Sequence, residues 1–292
     1  MSKQFVIIVI VCVFFGLGAR YAHGKDQIIW PYTCYYPLWV CEGDTVTGGI
    51  GWEIQSLLKF QMPEYEHKSV QLPVKKMLEQ VKKGSNYLVY GLYKTSDREQ
   101  YMYYSLPCRI SNPTMVVVRK NELEKFGGKN SVSLKKLLEN KKFRFLMLSS
   151  VSFGTELDPL LKEYQHNENV FIEYRTDNLD KYALKLLLNK RVDYILSTDG
   201  TLYEANQTGT ADKIAMIHIK EKNEYSIGYI TSPKNEWGKH IIEKINHILR
   251  REIPTRKFFK FFEPLVTREM LPELRKQYEK NIIEPVKKQK TP

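Results

Sequence analysis

Strand-like and helix-like segments alternate along most of this chain, and their order constrains the fold more than any other feature. Thr114–Arg119 is a β-branched run typical of a strand, whereas Gly51–Phe60 and Val74–Lys82 carry apolar residues at helical spacing. Residues 133–252 continue the alternation, with neither an internal repeat nor a low-complexity linker. Alternation at this spacing predicts an α/β protein with largely parallel strands.

The first 24 residues resemble a cleavable export leader. Lys3 is followed by the apolar run Phe5–Leu17, and the small residues Ala22 and Gly24 precede the expected cut. The alternative is a retained membrane anchor, but the run is shorter than the about 20 residues of a spanning helix. The sequence therefore predicts a signal peptide over residues 1–24 and a periplasmic mature chain that begins at Lys25.

The net charge of +12 is compatible with nucleic acid, an anionic membrane or an anionic ligand as partner. Export argues against nucleic acid, and the sequence contains no zinc-finger, helix-turn-helix or RNA-binding motif. The six histidines show no metal-binding spacing. We expect no nucleic-acid partner, no metal and no cofactor.

Three cysteines remain after the predicted cleavage. An oxidising compartment permits disulfides, and Cys34 and Cys41 are candidates to close a short loop. Cys108 is then a buried thiol or a partner for one of the other two.

Aromatic residues cluster near the basic C-terminus, at Phe258, Phe259, Phe261 and Phe262. Helical spacing favours ordinary core packing. A helix lying on a membrane surface is the alternative.

The segment from Gly91 to Pro107 is the most informative in the chain. Its Gly-x-x-x-Thr-x-x-Arg pattern, followed by aromatic-Ser-x-Pro, resembles type 2 periplasmic solute-binding proteins of family 3, in the branch with the amino-acid binders. Ile28–Tyr32 and Gly49–Ile54 resemble one of its subfamilies, whose ligands are poorly defined. The likeness spans the mature chain and is densest from Ile28 to Lys120.

This resemblance implies a two-lobed fold in which each lobe is a mixed sheet flanked by helices. The first lobe would be discontinuous, formed by residues 25–113 and 225–292, and residues 114–224 would form the second. Two crossover strands near Met115 and Tyr225 would act as a hinge. A small ligand would bind between the lobes and be presented, by a monomer, to a membrane permease or sensor.

Thr95 and Arg98 are the first candidate ligand contacts. A loop that enters a helix presents free backbone N–H groups to an anion, and an arginine can add a bidentate grip on a carboxylate. Thr95 supplies a hydroxyl and a helix N-cap together. The alternative is that Thr95 only caps the helix while Arg98 pairs with Asp97 or Glu99 on the surface.

The resemblance points to two further turns in the second lobe. Ser152 and Phe153 precede a helix that would face the cleft, although hydroxyl-rich turns often do no more than cap helices. Thr198 stands where amino-acid binders carry the acid that holds the ligand's ammonium group, and Asp199 follows one residue later. A shift of one residue along a strand turns a side chain to the opposite face.

Trp30 and Tyr32 end the first predicted strand, where ligands contact α/β sheets. They would form an aromatic wall or pack in the core. Tyr93 replaces the small hydroxyl residue of many amino-acid binders, which predicts a reshaped pocket and a ligand other than a standard free amino acid.

The sequence therefore favours binding of a small anionic or zwitterionic ligand that carries a carboxylate, without catalysis. One alternative is a dehydratase-like enzyme on the same scaffold, with Glu53 or Asp199 as its acid or base. The other is an envelope interaction module with a vestigial cleft and a basic face.

Overall fold

The computed structural model describes residues 26–43, 45–128, 131–148, 151–154, 156–173, 179–222 and 224–288. The predicted signal peptide and its cleavage position lie outside these residues. Within them, no helix is both long and apolar enough to cross a bilayer.

Strands and helices follow one another in the predicted order. The strands are β1 (Gln27–Tyr32), β2 (Val40–Glu42), β3 (Thr45–Gly48), β4 (Glu66–Gln71), β5 (Val89–Tyr93), β6 (Met102–Tyr104), β7 (Arg109–Ser111), β8 (Met115–Arg119), β9 (Phe145–Leu148), β10 (Val170–Glu173), β11 (Tyr194–Leu196), β12 (Ile214–His218) and β13 (Ser226–Pro233). The helices are α1 (Ile50–Gln61), α2 (Val74–Lys82), α3 (Ser96–Glu99), α4 (Leu134–Glu139), α5 (Asp158–Tyr164), α6 (Leu179–Leu188), α7 (Asp199–Gln207), α8 (Glu236–Glu252), α9 (Arg256–Phe259), α10 (Leu271–Tyr278) and α11 (Glu284–Lys288). Short 3₁₀ segments cover Lys120–Phe126, Ala211–Lys213 and Glu263–Leu265, and Glu279–Ile283 is a π-helical turn.

Five strands form one sheet in the order β10-β9-β11-β8-β12. We call the lobe built on this sheet the second lobe. Because successive side chains of a strand point to opposite faces, Val116 and Val118 pack in one core cluster and Val117 in another. Helices cover both faces, as the predicted α/β layering requires.

The remaining strands belong to the lobe that we call the first lobe. β1 pairs in parallel with β4, and β13 pairs with β5, β6 and β7. All three β13 pairings are antiparallel, as are those of β8 with β11 and β12. The sheets are therefore mixed, and less parallel than the alternation of elements predicts.

The first-lobe core extends into the C-terminal segment. Phe258, Phe259 and Phe262 are buried there and contact Tyr278 or one another. The prediction of core packing for this aromatic cluster is confirmed.

A disulfide joins Cys34 to Cys41 and closes the loop after β1. Cys108 is a free cysteine, fully buried in the first-lobe core. Burial raises the pKa of its thiol to about 12, so the thiolate form that reacts is disfavoured.

Candidate functional site

A cavity of about 480 Å³ is lined by residues of both lobes. The first lobe contributes the end of β1 and the loop after it, two residues of α2, the whole of β5, and β7. The second lobe contributes the turn at 151–154 and the N-terminus of α7. Much of the wall is aromatic, from Tyr35, Trp39, Tyr90, Tyr93 and Phe153.

An ion pair between Arg109 and Asp199 crosses from one lobe to the other in this cavity. The Nη2 atom of Arg109 donates to Oδ2 of Asp199 at 2.6 Å, and the hydroxyl of Ser111 donates to the same oxygen at 2.8 Å. Both charged side chains are about nine-tenths buried. We call this contact the interlobe ion pair.

The first lobe is shaped around the guanidinium of Arg109. Its Nη1 atom donates to the carbonyl oxygen of Gly91 at 2.9 Å, and its Cζ atom lies 5.3 Å from the centre of the Tyr93 ring. Burial opposes the charged form, but Tyr93 and Asp199 outweigh it and raise the pKa of Arg109. Arg109 therefore stays charged inside the cavity.

Two glycines make room for this side chain. Gly91 has a φ of 86°, which favours glycine. A Cβ atom on Gly228 of β13 would lie 3.0 Å from Cδ of Arg109 and 3.1 Å from the carbonyl oxygen of Gly91. The backbone therefore approaches the arginine more closely than larger residues allow.

Arg109 and Ser111 line the cavity and contact Asp199, and neither was a candidate from the sequence. They are two residues apart on β7, so their side chains share one face of the strand. The available indication in the sequence was that these two polar residues flank Ile110 shortly before the apolar strand β8.

Tyr93 lines the cavity. Its hydroxyl lies 3.5 Å from Oγ of Ser111. The side chain is 41% exposed, so a ligand can still contact the ring.

Arg98 lies outside the residues that line the cavity, and the predicted anion grip is not supported by its geometry. Its Nη1 atom donates to the carbonyl oxygen of Tyr93 at 3.0 Å. That bond directs the guanidinium to its own loop, and Glu99 pairs with Lys94 instead.

Thr95 is the N-cap of α3 and accepts a bond from the backbone nitrogen of Arg98. Like Arg98, it does not line the cavity. Its contacts in the described structure fit the capping alternative.

Trp30 and Tyr32 pack in the first-lobe core and do not form a wall of the cavity. Trp30 is fully buried and donates to His67. Side chains alternate along β1 and beyond, so Pro31 and Thr33 line the cavity in their place.

Ser152 and Phe153 line the cavity, but their donor groups are already bonded to the first residue of α5. The hydroxyl of Ser152 and the backbone nitrogen of Phe153 both donate to Asp158, at 2.5 and 2.6 Å. The Phe153 ring belongs to a second-lobe core cluster. This turn therefore offers shape to a ligand more than hydrogen bonds.

Thr198 and Asp199 have separate roles at the start of α7. Thr198 caps the helix and donates to the buried carboxylate of Asp180. Asp199 faces Arg109, although a one-residue shift along a strand would turn it away. The strand rule does not apply because β11 ends at Leu196, and residue 199 is already helical.

The described residues contain no group of three or more His, Cys, Asp or Glu side chains arranged to hold a metal. Of the two acids considered for catalysis, Glu53 is exposed on α1 and does not line the cavity. Asp199 lines it but is paired with Arg109.

No protein-family model and no curated protein matches this sequence. Solved structures match over most of its length. An ancestral cationic amino acid solute-binding protein is 14% identical, with a TM-score of 0.63 over 83% of this chain and 96% of that one. A putative L-cystine ABC transporter protein from Listeria monocytogenes is 17% identical, with a TM-score of 0.56 over 84% and 97%.

The ligand-binding core of GluR0, solved with L-glutamate, is 14% identical, with a TM-score of 0.56 over 84% of this chain and all of that one. Identities this low establish shared architecture only. The chain has the two-lobed α/β fold of type 2 periplasmic solute-binding proteins.

Proposed function

We propose that this chain is an extracytoplasmic solute-binding protein that closes its two lobes around a small ligand and presents it to a membrane transporter or sensor. Residues 25–113 and 225–292 would form the first lobe and residues 114–224 the second. Closure of this kind shifts an ensemble of open and closed forms and breaks no covalent bond.

The cavity between the lobes is the observation that carries this proposal. Its volume of about 480 Å³ lies in the range of small-molecule sites. Its wall combines aromatic rings with a few fixed polar groups, a pattern typical of such sites. The contacts that join the lobes include the interlobe ion pair and an edge-to-face pair between Tyr36 and Tyr203 with ring centres 5.4 Å apart.

The ligand contacts that we propose come from the cavity wall. Tyr93, Arg109, Ser111, Asp199 and Lys222 supply the polar and charged groups, and Phe153 closes the second-lobe side. This set retains Tyr93, Phe153 and Asp199 from the sequence prediction and replaces Arg98 by Arg109.

The experiment is to identify what co-purifies with the protein. Native mass spectrometry of periplasmic protein should show a small molecule bound one to one. Adding that molecule back to stripped protein should raise the thermal unfolding midpoint and reduce the radius of gyration in small-angle scattering. A molecule that binds without compaction, or binds equally after Phe153→Asp, would contradict closure around a ligand in this cavity.

The same sample tests for catalysis. One structural neighbour, 13% identical with a TM-score of 0.57, is an ancestral amino-acid-binding protein described as a precursor of cyclohexadienyl dehydratase. We expect the ligand to be recovered chemically unchanged after prolonged incubation. Conversion by wild-type protein but not by Asp199→Asn would instead show an enzyme.

A further inference from the structure

The charges on the cavity wall specify the ligand more narrowly than the fold does. Among the described residues that line the cavity, the side chains charged at neutral pH are Arg109, Lys222 and Asp199. Two cations and one anion leave an excess of one positive charge.

Asp199 is the one carboxylate in that set, and its charge is already neutralised. Its Oδ2 atom accepts bonds from Arg109 and from Ser111. A ligand ammonium group at Asp199 would lie beside the buried guanidinium of Arg109, and like charges repel strongly where water is excluded. The alternative is to break a buried ion pair, which leaves a buried charge without compensation.

Lys222 supplies the positive charge that remains. Its Nζ atom lies 2.8 Å from the carbonyl oxygen of Phe153 and 3.4 Å from a carboxylate oxygen of Glu156. The Glu156 side chain is 53% exposed and does not line the cavity. The Lys222 side chain is 20% exposed, so solvent reaches this ion pair mainly from the Glu156 side. Because solvent screening weakens such a pair, a ligand carboxylate can compete for Lys222.

Gly154 lets the lysine reach this position. A Cβ atom on Gly154 would lie 2.3 Å from Nζ of Lys222. Any other residue there would force the ammonium group away. The turn and the lysine therefore form one anion-facing corner on the second-lobe side.

The rest of the cavity wall is suited to the apolar part of a ligand. Tyr35, Leu38, Trp39, Met77 and Leu92 line the cavity on the first-lobe side. Aromatic faces with few free polar groups stabilise apolar or planar groups of a ligand.

We infer that the cleft takes a monocarboxylate with an apolar or aromatic body and no ammonium group, held by Lys222. This inference rests on the proposed solute-binding function. It excludes the free amino acids that the structural neighbours' names describe, because Arg109 already neutralises Asp199 and would repel a ligand ammonium group beside it.

Matched pairs of compounds test the inference. Stripped protein is titrated calorimetrically with phenylalanine and 3-phenylpropionate, tyrosine and 3-(4-hydroxyphenyl)propionate, and leucine and 4-methylpentanoate. Each pair differs in the α-ammonium group alone. We expect the deaminated member to bind at least about tenfold more tightly in at least one pair, because like charges placed together at a binding interface lower affinity by more than that factor.

An amino acid that binds as tightly as its deaminated partner overturns the inference. Binding of neither member in all three pairs overturns it as well. In that case the experiment on the co-purifying molecule still decides separately whether the chain binds a solute, through the molecule's identity and its effect on thermal stability and compaction.

Substitutions of Lys222 and Arg109 test the role of each charged side chain in ligand binding. Lys222→Gln should weaken the monocarboxylate at least about tenfold, whereas Lys220→Gln, at an exposed position two residues away, should leave its affinity unchanged. Arg109→Met frees Asp199 and should reverse the preference within a pair towards the amino acid.

Circular dichroism and the thermal midpoint establish that each variant is folded. If Arg109→Met does not fold, Arg109→Gln replaces it in the same comparison. A folded Arg109 variant that retains the wild-type preference, or a Lys222→Gln protein with wild-type affinity, refutes the assigned roles.

Discussion

The change of Asp193 to Asn should destabilise the second lobe by an amount that depends on pH. Asp193 precedes β11 and accepts four bonds. Three come from the backbone nitrogen, Nε and Nη2 of Arg144, and one from Nη2 of Arg119, all between 2.9 and 3.0 Å. It thereby joins the start of β9 to the end of β8.

The magnitude follows from two independent considerations. Breaking a buried ion pair costs about 3–5 kcal/mol, but Arg144 is 42% exposed and Arg119 keeps Glu122 and two carbonyl partners. Burial alone would raise the pKa of Asp193, yet the bonds from Arg144 and Arg119 lower it from 3.8 to about 2. That shift corresponds to a little over 2 kcal/mol, so we expect a loss of about 2 kcal/mol after partial screening by solvent.

The sign of the pH dependence follows from the lowered pKa. A group with a lower pKa in the folded state stabilises the fold above its unfolded pKa. That contribution is lost as the pH falls from about 4 towards 2. The difference in the free energy of unfolding between wild type and Asp193→Asn should therefore be largest at pH 7 and decrease steadily below pH 4.

Urea unfolding monitored by circular dichroism at pH 7, 5, 4 and 3 measures this difference. Asp212→Asn is the matched control, because Asp212 is an exposed acid of the same lobe. It should change the free energy of unfolding by less than about 0.5 kcal/mol. A difference for Asp193→Asn below about 0.5 kcal/mol at pH 7, or one that stays constant from pH 7 to 3, would refute the reasoning.

Three further predictions concern the first lobe. Gly228→Ala should cost about 1–3 kcal/mol in urea unfolding and weaken ligand binding, because the new methyl group meets Arg109; an unchanged midpoint would contradict the tight fit. Cys108 should resist a thiol reagent at pH 8 in the native state and react on unfolding, since its thiol is buried with a pKa of about 12; rapid native labelling would show otherwise. Reducing Cys34–Cys41, which are seven residues apart, should cost about 2.5 kcal/mol by loop-closure entropy, with the Cys34→Ser, Cys41→Ser protein, insensitive to reductant, as control.

The order of elements was predictable from the sequence because each segment carries its own periodicity. Val74–Lys82 is a helix with the predicted bounds, and β8 differs from its prediction by one residue. Short strands such as β6 and β7 were missed, since three residues are too few for a period to show. Their pairing with β13 depends on contacts more than 100 residues apart in sequence.

The cavity was harder to predict because the direction of a side chain is set by tertiary contacts. Arg98 and Arg109 both follow β5, and the motif favours Arg98. The structure directs Arg98 to a carbonyl of its own loop and Arg109 into the cavity. Asp199 was among the candidate contacts, but the strand alternation that would turn its side chain away does not extend to it, because β11 ends at Leu196.

The fit of Arg109 against Gly91 and Gly228 makes these three positions epistatic. While arginine is present, a methyl group on Gly228 meets its side chain and the carbonyl that it bonds. Arg109→Ala removes the contact with Cδ at 3.0 Å, whereas Cβ of residue 109 and the carbonyl oxygen of Gly91 still lie 3.1 Å from the new methyl group. The second substitution therefore becomes less costly without becoming neutral. The effect of a substitution at Gly228 therefore depends on which residue stands at position 109, and a change of the arginine first makes the second step less costly.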